Sequence, residues 1–203
     1  EVIAILASVL FFLPVPLVAT QILWVNLLTD TLPAIALGVD PGDKDIMKRK
    51  PRNPRESFFA HGAATRALLG GFLIVAITLA AFAIGLHAEG YALGALDIPE
   101  ESLAHGRTMA FIVLAASQLF YSLAKRHEVK SIFQIGLFSN KVLIGAILAG
   151  LMLQMIVINV PALAAAFSMK AISLTDWGVA LGLSLLPLVM NEIIKVFIRL
   201  RAR

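Results

Sequence analysis

The chain has 203 residues, of which 59% are apolar and 15% charged, and its mean hydropathy is +0.88. There is no cysteine, which excludes a disulfide framework and a thiolate metal site. The net charge of +4 does not point to nucleic acid, because the basic residues fall between long apolar blocks, the arrangement of a membrane protein.

These blocks predict an all-α fold, a polytopic transmembrane bundle of six segments at about 1–13, 17–38, 64–87, 107–124, 140–160 and 176–198. About 20 residues at ~1.5 Å rise cross the ~30 Å hydrocarbon core. The first segment is shorter than that, so it reads as a truncated helix and the chain as a piece of a longer protein. Its start at Glu1, with neither Met nor a charged leader, does not read as a signal peptide. Pro14-Val15-Pro16 makes the first connection short and predicts a tight antiparallel hairpin. The 39–63 stretch is polar, with four prolines or glycines among Pro41, Gly42, Pro51 and Pro54 and a basic run Lys48-Arg49-Lys50. The 88–106 loop is acidic, the 125–139 loop starts basic, and the tail carries Lys195, Arg199, Arg201 and Arg203. With Arg66 and Lys141, the 39–63 loop, the 125–139 loop and the tail hold every Lys and Arg except Arg107 and Lys170. Lysine and arginine bias therefore predicts a cytoplasmic 39–63 loop and a cytoplasmic C-terminus.

The second segment holds the most informative residues. An aspartate in the middle of a membrane helix is costly and reads as functional by default. Asn26, Thr29 and Asp30 stand at i, i+3 and i+4, one face of an α-helix. Pro33 has no N–H for the carbonyl of Thr29, so a kinked or unwound backbone is expected over 27–33, one broken helix in the bundle. Folding the hairpin about Val15 pairs residues whose numbers sum to about 30, which sets Glu1 at the depth of Thr29 and Asp30. Two carboxylates with amide and hydroxyl oxygens suit a hard cation such as calcium and not zinc or copper.

Other polar positions have plainer readings. Gln118 and Gln154 read as helix-to-helix hydrogen-bond formers, Glu192 with Lys195 as a structural ion pair, and Gly70-Gly71 as close helix packing. The four histidines lie in or beside loops without metal-ligand spacing.

The stretch Gln21 to Gly38, with its Asn-x-x-Thr-Asp-x-x-Pro pattern, resembles the sixth transmembrane helix of calcium-transporting P-type ATPases. Asp40-Pro41 through Asp45-Ile46-Met47 and Arg52-Asn53-Pro54 resemble that family's cytoplasmic loop between helices six and seven. Thr108-Met109-Ala110 resembles the start of helix eight, and Leu174-Thr175-Asp176-Trp177 the entry to helix ten. The resemblance covers the whole chain and implies the second half of helix five and helices six to ten. It implies Asn26, Asp30, Thr29 and Glu1 as metal ligands, with Gln118 as a further candidate where the two-site pumps carry a glutamate. That departure puts the first of two ion sites in doubt and resembles plasma-membrane-type pumps, which are taken to move one ion per cycle. The family's phosphorylated Asp-Lys-Thr-Gly-Thr motif is absent from these residues. The implied partners are the lipid bilayer, the missing N-terminal helices and the phosphorylation domain of the same pump, with ATP and Mg2+ used only there. Two rivals remain open from the residues alone. A secondary cation/proton exchanger or channel predicts a second broken helix, for which only the Pro187 region offers itself. A structural helical bundle leaves Asp30 unexplained.

Overall fold

The computed structural model describes residues 1–41, 47, 63–95, 97–127 and 129–201. Most of the 39–63 loop, including its Asp45 and Arg52 motifs, lies outside the described residues, as do the last two residues of the tail. In chain order the helices are α1 (Val2–Leu10), α2 (Ala19–Trp24), a π-helical turn (Val25–Thr29), α3 (Thr31–Gly38), α4 (Ala63–Ala88) and α5 (Glu100–Lys125). A four-residue α6 (Ile132–Ile135), then α7 (Lys141–Asn159), α8 (Pro161–Ala166), α9 (Leu174–Ser184) and α10 (Leu186–Arg201) complete it. Among the described residues every regular element is helical.

The bundle is built around α5, which packs against α4, α7, α9 and α10 and against the π turn. It is the least apolar of the long helices and the most buried. Both follow from one cause: its small and polar residues, Ser117, Ser122 and Thr108 among them, turn their hydroxyls onto carbonyls of α5 itself and are shielded from lipid by its neighbours. The outer helices carry the strongly apolar surfaces, such as Leu68, Leu69, Phe72, Leu148 and Met152, on their exposed faces.

Among the described residues, four helices are long and apolar enough to cross a membrane: 64–88, 100–125, 141–159 and the α9–α10 pair over 174–200. The other two expected segments stand as short α1 and as a run divided by the π turn into pieces too short to count. One boundary differs from expectation, and one interruption falls where Pro187 marks it. α5 starts at Glu100 instead of residue 107, since Pro99 precedes it and Glu100 and Glu101 lie in its first turn, where negative charge suits the helix dipole. The last segment is interrupted at Leu185, just before Pro187, which cannot donate to the carbonyl of Leu183.

α4 and α5 approach through a pair of glycines. A Cβ on Gly85 would lie 2.7 Å from the Gly106 Cα, and one on Gly106 would lie 2.9 Å from the Phe82 ring. Backbone is the obstacle at Gly85, so Gly85→Ala is expected to force the helices apart and destabilise by about 1–3 kcal/mol. Gly71→Ala, which meets nothing within 4 Å, is the control and is expected to be neutral. Thermal unfolding of the two variants in the same detergent reads the difference. Gly70 does pack closely, its missing Cβ leaving room for the Tyr121 hydroxyl, whereas Gly71 does not.

Polar contacts gather at the two ends of the bundle. At one, Arg107 reaches the Val15 carbonyl (3.4 Å) and Glu100 (2.8 Å), joining the first hairpin to α5. At the other, the Arg126 guanidinium grips both Asp40 carboxylate oxygens at 2.9 Å and also donates to the Gly136 carbonyl and Ser139. Asn140 donates to the Ala36 carbonyl and to Asp40, both at 2.9 Å, while its own oxygen caps α7. At the same end Lys195, 2% exposed, pairs with Glu192 at 2.8 Å and donates to the Ala124 carbonyl. Glu192 accepts in turn from the Ser131 hydroxyl and the Ile132 N–H. The ion pair read from the sequence is thus present and structural.

Candidate functional site

The second apolar run is held from both ends. Below its start, Gln21 accepts from the Val18 N–H (3.0 Å) and donates to the Phe167 carbonyl (3.0 Å), and Trp24 sets its edge on the Phe167 ring with centroids 5.5 Å apart. Beyond its end stands the Arg126–Asp40–Asn140 cluster. Between these anchors the chain meets Pro33, whose ring and missing N–H disturb the turn before it.

The disturbance is not relieved by unwinding. The non-helical stretch expected over 27–33 is replaced by a π turn: the Asp30 N–H donates to the Val25 carbonyl five residues back at 3.0 Å. Asp30 itself stays in the right-handed helical region at φ −87°, ψ −38°, and the α-helix resumes with the Ala34 N–H on the Asp30 carbonyl. One inserted residue accommodates the proline while the backbone bonds remain largely internal, which is the cheaper solution in a membrane. Turns of this kind occur often at functional sites.

The wide turn also breaks the face predicted for an ideal α-helix. Asn26 and Asp30 are exposed, but Thr29 is 1% exposed and donates its hydroxyl to the Val25 carbonyl at 2.7 Å. Thr29 therefore secures the turn from inside while the other two look outward. The Asn26 amide nitrogen donates to Glu1 Oε2 at 3.0 Å and to the Ile22 carbonyl at 3.1 Å, which leaves its amide oxygen to point elsewhere. Glu1 meets the second segment at Asn26, one turn short of the depth expected from the hairpin. Its charge still lies within electrostatic reach of Asp30. Glu1 Oε1 is buried and has no hydrogen-bond partner among the described residues.

Gln118 lies in α5, the helix against which the π turn packs, and its Oε1 is buried without a hydrogen-bond partner among the described residues. The helix-to-helix bond expected of that oxygen is not formed. Gln154, by contrast, donates to the Phe111 carbonyl at 3.1 Å and ties α7 to α5 as expected. The second break, at Leu185, presents no comparable group: Ser184 donates to the Ala180 carbonyl at 2.7 Å and Asn191 to the Ala124 carbonyl.

The chemistry available at the π turn is oxygen chemistry. The Asp30 carboxylate ends the turn and the Glu1 carboxylate bonds Asn26 within it, and among the described residues no group of three or more His, Cys, Asp or Glu converges to hold a metal. A set of this kind is smaller than the six to eight oxygens that calcium takes.

The cation transporting ATPase C-terminus family model matches residues 14–197. The chain is 45% identical to Calcium-transporting ATPase 1 of Bacillus cereus over 97% of its own length, and that match spans 22% of the relative. It is 41% identical to the Calcium-transporting ATPase of Bacillus subtilis over 92% of its length, spanning 20% of that protein. With Calcium-transporting ATPase type 2C member 1 of Mus musculus the identity is 35% over 98% of the chain, again 20% of the relative. The chain thus spans about a fifth of the length of the curated relatives it matches. A match over nearly all of its residues, including the wide turn and the helices that hold it, makes this chain a member of the cation transporting ATPase C-terminus family.

Proposed function

We propose that this chain is the membrane part of an ATP-driven calcium pump, with Asn26 and Asp30 as principal ligands and Glu1, Thr29 and Gln118 in lesser roles. The observation that carries the reading is the π turn itself. It holds Asn26 and Asp30 on an exposed face beside Glu1, in a segment whose middle would otherwise have to meet lipid. Exposed carboxylate and amide groups at that depth call for partner helices that complete the oxygen set, and relatives five times as long supply room for them. ATP, Mg2+ and the phosphorylated aspartate belong to those further parts, and the 39–63 loop couples them to the membrane. In this reading α1 continues a helix begun outside these residues, the bundle has six crossings, and the Arg126 end with the C-terminus is cytoplasmic. Calcium enters from that side and leaves on the other as protons return.

Ion count tests the site. Two divalent ions a few Å apart repel strongly in a low-dielectric interior, and carboxylates offset that repulsion. Glutamine at position 118 offers oxygen but no charge. One calcium per ATP is therefore expected of the complete protein, and Gln118→Ala is expected to keep calcium-dependent phosphorylation within about twofold. Equilibrium binding of two calcium ions per protein, with Gln118→Ala losing one, would overturn this.

A further inference from the structure

At the Pro14–Pro16 end of the bundle, far in the fold from the π turn's polar groups, His105 stands between two carboxylates. Its Nδ1 is 2.8 Å from Glu89 Oε1, just past the end of α4, and its Nε2 is 3.4 Å from Asp176 Oδ2 in the first turn of α9. The side chain is 11% exposed, and Nε2 is buried without a formed hydrogen bond among the described residues, Asp176 being its nearest carboxylate. Lys170 faces the same group, 3.3 Å from Glu89 Oε1 and 3.5 Å from Glu101 Oε1. Arg107, two residues along α5, is engaged by Glu100 and the Val15 carbonyl. Asp176 Oδ2 also accepts from the Ser173 hydroxyl and N–H, which caps α9.

A neutral imidazole has one N–H and can donate to one of these carboxylates; its other nitrogen then turns a lone pair on the second. An imidazolium donates to both. We propose that His105 is a proton-operated clasp: protonated, it ties the end of α4 to the start of α9 across α5, and on losing its proton it releases one of the two. The Glu89 carboxyl is held below the usual carboxylate range, first by the hydrogen bond from His105 and then by Lys170. Lys170 is held above its ordinary range by Glu89. Neither Glu89 nor Lys170 changes charge in the range where histidine side chains do, about pH 5 to 8. The carboxylate's contribution is present above its unfolded-state value and is lost only as the pH falls through the lower folded one. The clasp is thus closed where His105 carries its second proton and open where it does not.

Amide hydrogen exchange on the complete protein, corrected for the intrinsic pH dependence of exchange, tests it without requiring ion transport. Protection in 89–95 and 168–178 is expected to fall about tenfold between pH 5.5 and 8. His105→Gln is expected to flatten that dependence. Asp176→Asn, which still caps α9, is expected to remove most of it. A wild-type protein with no such dependence would overturn the proposal, as would an undiminished dependence in either variant.

Discussion

Asp30→Asn in the complete protein is expected to abolish calcium-dependent phosphorylation at micromolar calcium, with apparent calcium affinity weakened by at least about a hundredfold. The substitution keeps shape and one oxygen and removes charge alone. Only Glu1 among the described neighbours carries a second carboxylate, and it is already engaged by the Asn26 amide nitrogen at 3.0 Å. In a poorly screened interior the loss of one full charge from such a pair outweighs any change in packing. Glu1→Gln is expected to be milder, since an amide there still meets Asn26. Phosphorylation from ATP titrated with calcium reads both variants, and an Asp30→Asn protein with near-normal calcium dependence would remove this residue from the ion's path.

Arg126→Met is expected to cost about 3 kcal/mol of stability. Its side chain is 3% exposed and grips Asp40 with two bonds at 2.9 Å. Removing the guanidinium leaves a mostly buried carboxylate with, among the described residues, the Asn140 amide, and the cost of breaking such a pair by deleting one partner runs to about 3–5 kcal/mol. The double variant with Asp40→Asn is expected to recover more than half of the loss, because no charge is then left without a partner. Thermal unfolding of the two singles and the double in one detergent closes the cycle. Equal losses in the single and double variants would show that Arg126 acts through packing and not through its charge.

The sequence disclosed what rests on composition and near neighbours. Long apolar runs gave the helical bundle, an aspartate one turn before a proline marked the special segment, and i, i+3 spacing exposed the Glu192–Lys195 pair. What it withheld depends on contacts between residues far apart. A basic loop was legible at 125–139, but not that Arg126 would close on Asp40, 86 residues earlier in the chain. His105 carries no local signature, since its two carboxylates stand 16 residues before it, just past α4, and far after it in α9. Pro33 announced a disturbance without saying which form it takes. Unwinding and widening both free the proline, and the choice was made by Thr29 bonding inward to Val25 and by the anchors on either side. The same choice buried Thr29, which α-helical spacing had aligned with Asn26 and Asp30.

Those anchors also bear on how the segment can change length. From the Phe167 contact to the Arg126 cluster the chain is tied at two fixed points, and the wide turn takes up one residue more than a regular helix would need between them. Deleting a single residue within 25–29 would let the two points be joined by an uninterrupted α-helix. Side chains on either side of the turn would keep their places, because the deletion removes the one residue that the turn absorbs. The widened backbone beside Asn26 and Asp30 would be lost, although no ligand had been altered. The length of this segment is thus a requirement of its own, separate from the identity of its side chains.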